Sequence, residues 1–300
     1  MNIEQLNGKF GIDGQLRFVE GRGGLTMIEI ENDHVRATVS LYAGQVLSFA
    51  PRGAREDLFF VSDKAYFKKG KAIKGGIPIC WPWFGPDPED RGRPAHGFVR
   101  SWDWHLLSTR TLADGATAIK LGIADDAASR ALWPETFNLF LQIEIGRTLK
   151  LELVTRNAGD LPFSITQGFH TYFRIGDIHR VQVLGLEDHG FIDKTAGDAE
   201  ETQIGPVKIA GEVNRVYRGV SRDLIIDDRA LDRRIRIRGS NSSTCVVWNP
   251  WIETAASMAD LDDDDYQRML CVETLNAGAE IIDVPAQAEA RIGVEYGEDL

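Results

Sequence analysis

"FNLFLQIEIGRTLKLELVTRN", residues 137–157, sets the fold class. Phe137, Leu139, Leu141, Ile143 and Ile145 form one apolar row, and polar residues occupy most of the positions between them. A period of two puts such a row on one face of an extended chain. Leu149, Leu151 and Leu153 resume the alternation after Gly146. The spacing predicts two strands joined by a tight turn.

The same period recurs in both directions along the chain. Val35, Ala37, Val39 and Leu41 alternate with Arg36, Thr38 and Ser40, and shorter alternations stand at TAIKLGI, RRIRIRGS, TCVVW and ARIGVEY. Gly, Asn and Asp punctuate the intervals as turns. Helical candidates are short: ASRALWPE, and a turn near DDDDYQRML. Many strands with few crossover helices predict an all-β, antiparallel sandwich and exclude a βαβ fold. No repeat, low-complexity tract or linker divides the chain, so residues 1–300 are expected to form a single domain.

Composition narrows the function classes. Hydrophobic residues at 43% and charged residues at 26% describe a globular chain with a large core. A net charge of −11 argues against general binding to nucleic acid or to an anionic membrane. The three cysteines, Cys80, Cys245 and Cys271, are scattered and form no CxxC pair, which predicts reduced thiols rather than a zinc knuckle or a disulfide frame. No basic-then-apolar leader and no run near the ~18 apolar residues of a span is present, so a cytoplasmic protein is expected.

"KGGIPICWPWFGP", residues 74–86, fits neither element type. Pro78, Pro82 and Pro86 remove backbone donors and fix φ, yet Ile77, Ile79, Trp81, Trp83 and Phe84 are too apolar for a solvated loop. A stiff aromatic wall with a cation at its edge is predicted.

Dinucleotide, Walker and serine-elbow motifs are all missing. The six histidines form neither an HExxH nor a cluster with carboxylates at metal spacing, so no metal and no cofactor is expected. Two histidines keep unusual company. RPAHGFVRSWDW places His96 before a glycine with Arg100 four residues on, and QGFHTYFRIGDI places His170 among aromatics. Each also reads as a histidine held by backbone, the commoner fate of a lone one. Glu273 in MLCVETLNAG follows an apolar stretch, where a charge is costly unless paired or functional. Alternation equally allows a strand glutamate facing solvent.

Taken in order, GGIPICWPWFG, HGFVRSWDW, HTYFRIGDI, VVWNPW with SMAD, and CVETLN span residues 74–276. This series resembles the aldose 1-epimerase superfamily, and within it the glucose-6-phosphate 1-epimerase (hexose-6-phosphate mutarotase) branch. The resemblance implies a β-supersandwich of the galactose mutarotase-like type with a sugar cleft on a concave face. It implies interconversion of α and β anomers of a hexose 6-phosphate without metal or organic cofactor. By motif match the catalytic acid falls on His170 and the base on Glu273. Substrate contacts are expected from Lys74, His96, Arg100, Asn214, Trp83 and Phe84, with the two cations on the phosphate and the aromatics against the sugar's C–H face. The expected partner is a small sugar phosphate, bound by a monomer.

The chain departs from the branch on the substrate side. Lys74 stands where an arginine is expected, Ala95 where a glutamine is, and Asn214 where an aspartate is. Lysine keeps the charge without the planar fork, and the other two exchanges remove a polar group or a charge. A mutarotase for another, unphosphorylated aldose therefore stays open. So does a non-catalytic carbohydrate binder on the same fold, although a binder needs neither an acid nor a base. Lyase action on a polysaccharide lacks a basic-tyrosine or metal constellation here.

Overall fold

The computed structural model describes residues 1–299. Helix α1 (Ile3–Phe10) opens the chain. Strands β1 (Leu16–Glu20), β2 (Thr26–Glu31), β3 (Val35–Ser40) and β4 (Gln45–Pro51) then form an antiparallel sheet in that order. The chain continues through β5 (Ile79–Cys80), β6 (His105–Thr111), β7 (Thr117–Ala124), helix α2 (Ala127–Leu132), β8 (Phe137–Ile145) and β9 (Leu149–Asn157). Short strands β10 (Phe163–Ile165), β11 (Gln167–Phe169) and β12 (Tyr172–Arg174) follow. Next come β13 (Val181–Leu184), β14 (Gly190–Asp193), β15 (Ala199–Thr202), β16 (Val207–Lys208), β17 (Val213–Tyr217) and β18 (Leu224–Asp228). The described chain ends with β19 (Arg233–Ser240), β20 (Thr244–Asn249), helix α3 (Trp251–Ser257), β21 (Met269–Asn276), β22 (Ile282–Val284) and β23 (Glu289–Asp299).

Two large sheets face each other. One runs β16-β13-β18-β19-β23-β9-β8-β7-β6, and the other β15-β14-β17-β20-β21-β11-β5 with β12 also on β21. The predicted hairpin is the centre of the first: β8 and β9 pair antiparallel from Phe137↔Asn157 to Ile145↔Leu149. Strict alternation in β8 buries Phe137, Leu139, Leu141, Ile143 and Ile145 against the second sheet. From the second sheet Phe169, Phe173, Val247, Leu270 and Val272 enter the same core. The expected all-β antiparallel sandwich is what forms, and the anticipated short helix is α2. Sequence periodicity missed α1 and α3, each under three turns long. The signal for α1 was a capping box: Asn2 Oδ1 accepts from the Gln5 amide at 2.9 Å, and Gln5 Oε1 accepts from the Asn2 amide at 3.0 Å. No helix among the described residues is long and apolar enough to cross a membrane.

Candidate active site

Strand register brings the acid and base candidates together. β11 pairs with β21 from Gln167↔Asn276 to Phe169↔Thr274, and β12 pairs with it from Tyr172↔Cys271 to Arg174↔Met269. The two ladders keep one register, so the break at His170 and Thr171 adds no slip and His170 lies opposite Glu273. On the side away from β21, the His170 amide donates to Pro78 O at 3.0 Å and the Tyr172 amide to Gly76 O at 2.9 Å, both within the stiff segment. On the other side of β21, Glu273 is opposite Val246, which is opposite Val216 of β17. Directly opposed residues project from the same face of a sheet. One row therefore reads Val216, Val246, Glu273, His170, and its neighbour reads Asn214, Trp248, Cys271, Tyr172.

The pair is close and nearly dry. His170 Nε2 is 3.5 Å from Glu273 Oε1, and the residues are 8% and 2% exposed. Tyr172 stacks on the imidazole with ring centres 4.8 Å apart, and Trp248 meets it edge-on at 5.9 Å. His170 Nδ1 and Glu273 Oε2 are buried with no hydrogen-bond partner among the described residues. Buried polar atoms without partners are costly, and those of a binding site gain theirs from the ligand. Burial pushes the Glu273 carboxyl well above its usual range, with the Arg100 charge opposing. Burial, then His96 and the Arg100 and Lys74 charges, hold the His170 imidazole well below its usual range. Both shifts favour the neutral pair, with the proton on the carboxyl.

The aromatic segment divides between the neighbourhood of the pair and the core. Phe84 is half-buried and packs edge-on against His96 at 4.8 Å, and His96 lies 5.5 Å from the His170 ring. His96 adopts φ 63°, its amide donates to Gly85 O at 2.7 Å, and its Nδ1 accepts from the Gly85 amide at 3.3 Å. Burial and the charges of Arg100 and Lys74 push it down to about 3, so it stays neutral. The next residue must be glycine: Gly97 has φ 74°, and a Cβ there would sit 1.8 Å from Trp81 O. Trp83 departs from expectation. It is 4% exposed, its Nε1 donates to Pro94 O at 3.0 Å, and the Arg93 guanidinium covers its face at 4.3 Å. Its ring is part of the core and offers no surface to a sugar. Trp81, fully buried, likewise packs in the core.

The two cations are held differently. Arg100 sits on a single helical turn, Val99–Ser101, and donates from Nη2 to Ala95 O at 2.9 Å. Among the described residues it has no carboxylate within ion-pair distance, and its charge is felt at both His170 and Glu273. Lys74 Nζ is 3.4 Å from Asp260 Oδ1 and 3.8 Å from Met258 Sδ, both in the SMAD stretch after α3. Asn214 lies in the row beside Trp248.

Sequence reading passed over the support behind this face. On the core side of the same strands, Trp81 Nε1 donates to Thr155 Oγ1 at 2.9 Å, and Thr155 Oγ1 to Gln167 Oε1 at 3.3 Å. Gln167 Nε2 donates to Asn276 Oδ1 at 3.1 Å, and Asn276 Nδ2 to Glu280 Oε1 at 3.0 Å. The chain of bonds ties the aromatic segment, β9, β11 and β21 to one another. Thr171, next to His170, meets the Tyr296 hydroxyl of β23 at 2.5 Å. A separate recess of about 410 Å³ lies over the β1–β4 sheet, where Arg17 pairs with Glu29 at 2.6 Å.

A buried imidazole and carboxyl, set opposite each other with a free polar atom apiece, are chemically able to exchange a proton. The family model for aldose 1-epimerase matches residues 26–292. The chain belongs to the aldose 1-epimerase family. This epimerase is 36% identical over 255 residues to an Escherichia coli (strain K12) protein named "Putative glucose-6-phosphate 1-epimerase", covering 84% of each chain. A protein of that name from Cenchrus ciliaris is 34% identical over 272 residues, 88% of the epimerase and 78% of the relative. Among solved structures, one described as a "putative mutarotase" from Salmonella typhimurium superposes with TM-score 0.89 at 30% identity, over 96% of this epimerase and 95% of that chain. A galactose mutarotase related enzyme from Lactobacillus acidophilus, at 12% identity and TM-score 0.73, covers 91% of this epimerase and 97% of itself, and shares the fold. The epimerase is thus a mutarotase, an isomerase working at the anomeric carbon of an aldose.

Proposed function

We propose that the enzyme interconverts the α and β anomers of a hexose 6-phosphate, with Glu273 and His170 as the proton-exchange pair. The observation that carries this is the opposed, buried pair with its two unpartnered atoms. In the first half of the cycle the carboxylate of Glu273 takes the proton from the anomeric hydroxyl. The bond from the anomeric carbon to the ring oxygen breaks, and that oxygen takes a proton from His170. The open aldehyde rotates about its first carbon–carbon bond. Closure then runs the same transfers backwards on the other carbonyl face, returning both protons. This sequence needs carboxylate and imidazolium, whereas the dry pair favours carboxyl and imidazole. The two forms carry the same single proton. Sugar hydroxyls bonded to Glu273 Oε2 and His170 Nδ1 stabilise the charged form, so binding itself arms the pair.

Arg100, without a carboxylate partner, supports a phosphate at the pocket rim. The whole chain, residues 1–300, acts in this reading as one catalytic domain, in keeping with a core cluster that runs from Leu6 to Tyr296. Exchange NMR on the purified protein with glucose 6-phosphate and with glucose tests the proposal. Faster anomer exchange of the phosphorylated sugar is expected. Acceleration of glucose alone would leave a mutarotase for an unphosphorylated aldose, and acceleration of neither would reduce the protein to a binder.

A further inference from the structure

We propose that Asp260 sets how strongly this site prefers a phosphorylated sugar, by neutralising Lys74. The inference rests on the hexose 6-phosphate reading of the pocket. Lys74 and Arg100 flank it: Arg100 bonds the Ala95 carbonyl beside His96, and Gly76, two residues past Lys74, accepts from the amide of Tyr172, whose ring stacks on His170. They are not equivalent. Arg100 spends one N–H on the Ala95 carbonyl, a neutral partner, and keeps its charge available. Lys74 faces a carboxylate at 3.4 Å, and the two side chains are only 18% and 22% exposed, where water screens them partly. The Met258 thioether occupies a further side of the ammonium at 3.8 Å.

Two cations and one carboxylate leave a single uncompensated charge. A phosphate dianion reaching Lys74 meets Asp260 as a like charge, and it must share or displace the contact. An anion site with a fixed carboxylate beside it binds less tightly than the same site without one. Lysine suits this arrangement better than arginine, because its compact ammonium on a flexible stem can move between two acceptors. Asp260 is therefore a specificity-determining residue that lowers the preference for the phosphorylated sugar and leaves Arg100 as the main anchor.

The test compares wild type, Asp260→Asn, Lys74→Met and the double variant. For each, KM is measured for glucose 6-phosphate and for glucose, and inorganic phosphate is titrated calorimetrically as a probe that needs no turnover. Asp260→Asn keeps the side chain's shape, and its thermal midpoint checks the fold. Its ratio of KM for glucose 6-phosphate to KM for glucose is expected to fall about two- to tenfold, with phosphate binding tightened in parallel. Lys74→Met is expected to raise the ratio, and Asp260→Asn on that background to bring it back down, because the carboxylate it removes then stands without its cation beside the phosphate. An unchanged or increased ratio in Asp260→Asn overturns the inference, because Asp260 then only orients the lysine or does nothing at the site. If wild type prefers the phosphorylated sugar and Asp260→Asn does not sharpen that preference, this inference alone fails. If wild type shows no preference and Asp260→Asn creates one, the substrate reading fails while the role of Asp260 stands.

Discussion

A buried carboxyl and imidazole 3.5 Å apart act as one titrating unit, and each member has one predictable loss. Glu273→Gln and His170→Asn keep size and hydrogen bonding while removing the exchangeable proton. Either is expected to lower kcat by roughly 10²–10⁴-fold with sugar affinity retained, read by exchange NMR beside a binding titration. A near-normal kcat in either variant removes that residue from the reaction. The working pair holds one proton, gains a second as pH falls through the depressed imidazole value, and loses its own as pH rises through the elevated carboxyl value. The acid limb of kcat/KM should thus lie below the ordinary 6.5 of histidine, with a broad plateau above it. A neutral aldose, or correction for the phosphate's own ionisation near about 6, keeps the substrate out of the profile. An acid limb centred at or above neutrality contradicts the shifts. Arg100→Ala gives the third residue-scale outcome. It should raise KM for glucose 6-phosphate about tenfold to a hundredfold, with a much smaller rise for glucose, since a hydrogen bond to a charged group contributes roughly 1.5–3 kcal/mol.

At the scale of elements, β21 and the break between β11 and β12 hold the candidate pair on one face, and β11 and β21 hold a polar chain on the other. Gln167→Leu should cost about 1–3 kcal/mol in urea unfolding, because Asn276 Oδ1 and Thr155 Oγ1 each lose a buried partner. It should also lower kcat more than it alters KM if the bond between β11 and β21 helps hold the register that sets His170 opposite Glu273. Full kcat in a destabilised Gln167→Leu would show that the polar chain has no part in positioning. The strands were legible in advance because alternation is a local signal, and β8 and β9 carry it without interruption. The candidate acid and base stood out through their motifs alone. Their opposition was not, because it depends on pairing between strands far apart: Gln167 and Asn276 are separated by 109 positions. Trp83 was misplaced for a related reason, since an aromatic ring in a proline-rich segment looks the same whether it lines a pocket or fills a core. Only the Arg93 contact over its face and the bond to Pro94 separate the two.

Across the whole molecule, the nine-stranded sheet steadies the site through its own core side. Tyr296 of β23 reaches Thr171 while Phe59 and Phe173 pack on its ring at 5.6 and 5.5 Å. Tyr296→Phe keeps that packing and deletes the hydroxyl alone, so a loss of about 1–3 kcal/mol measures the tie between the sheets. The two rows across β17, β20, β21 and β11 have a consequence for descent. His170 and Glu273 are placed by backbone pairing, whereas Lys74, Ala95 and Asp260 stand on connecting loops. Loops tolerate exchange far better than paired strands do. Exchanges at Lys74, Ala95 and Asp260 can accordingly retune what the pocket admits without disturbing the ladder that sets His170 against Glu273, whereas Asn214, on paired strand β17, is less free to change.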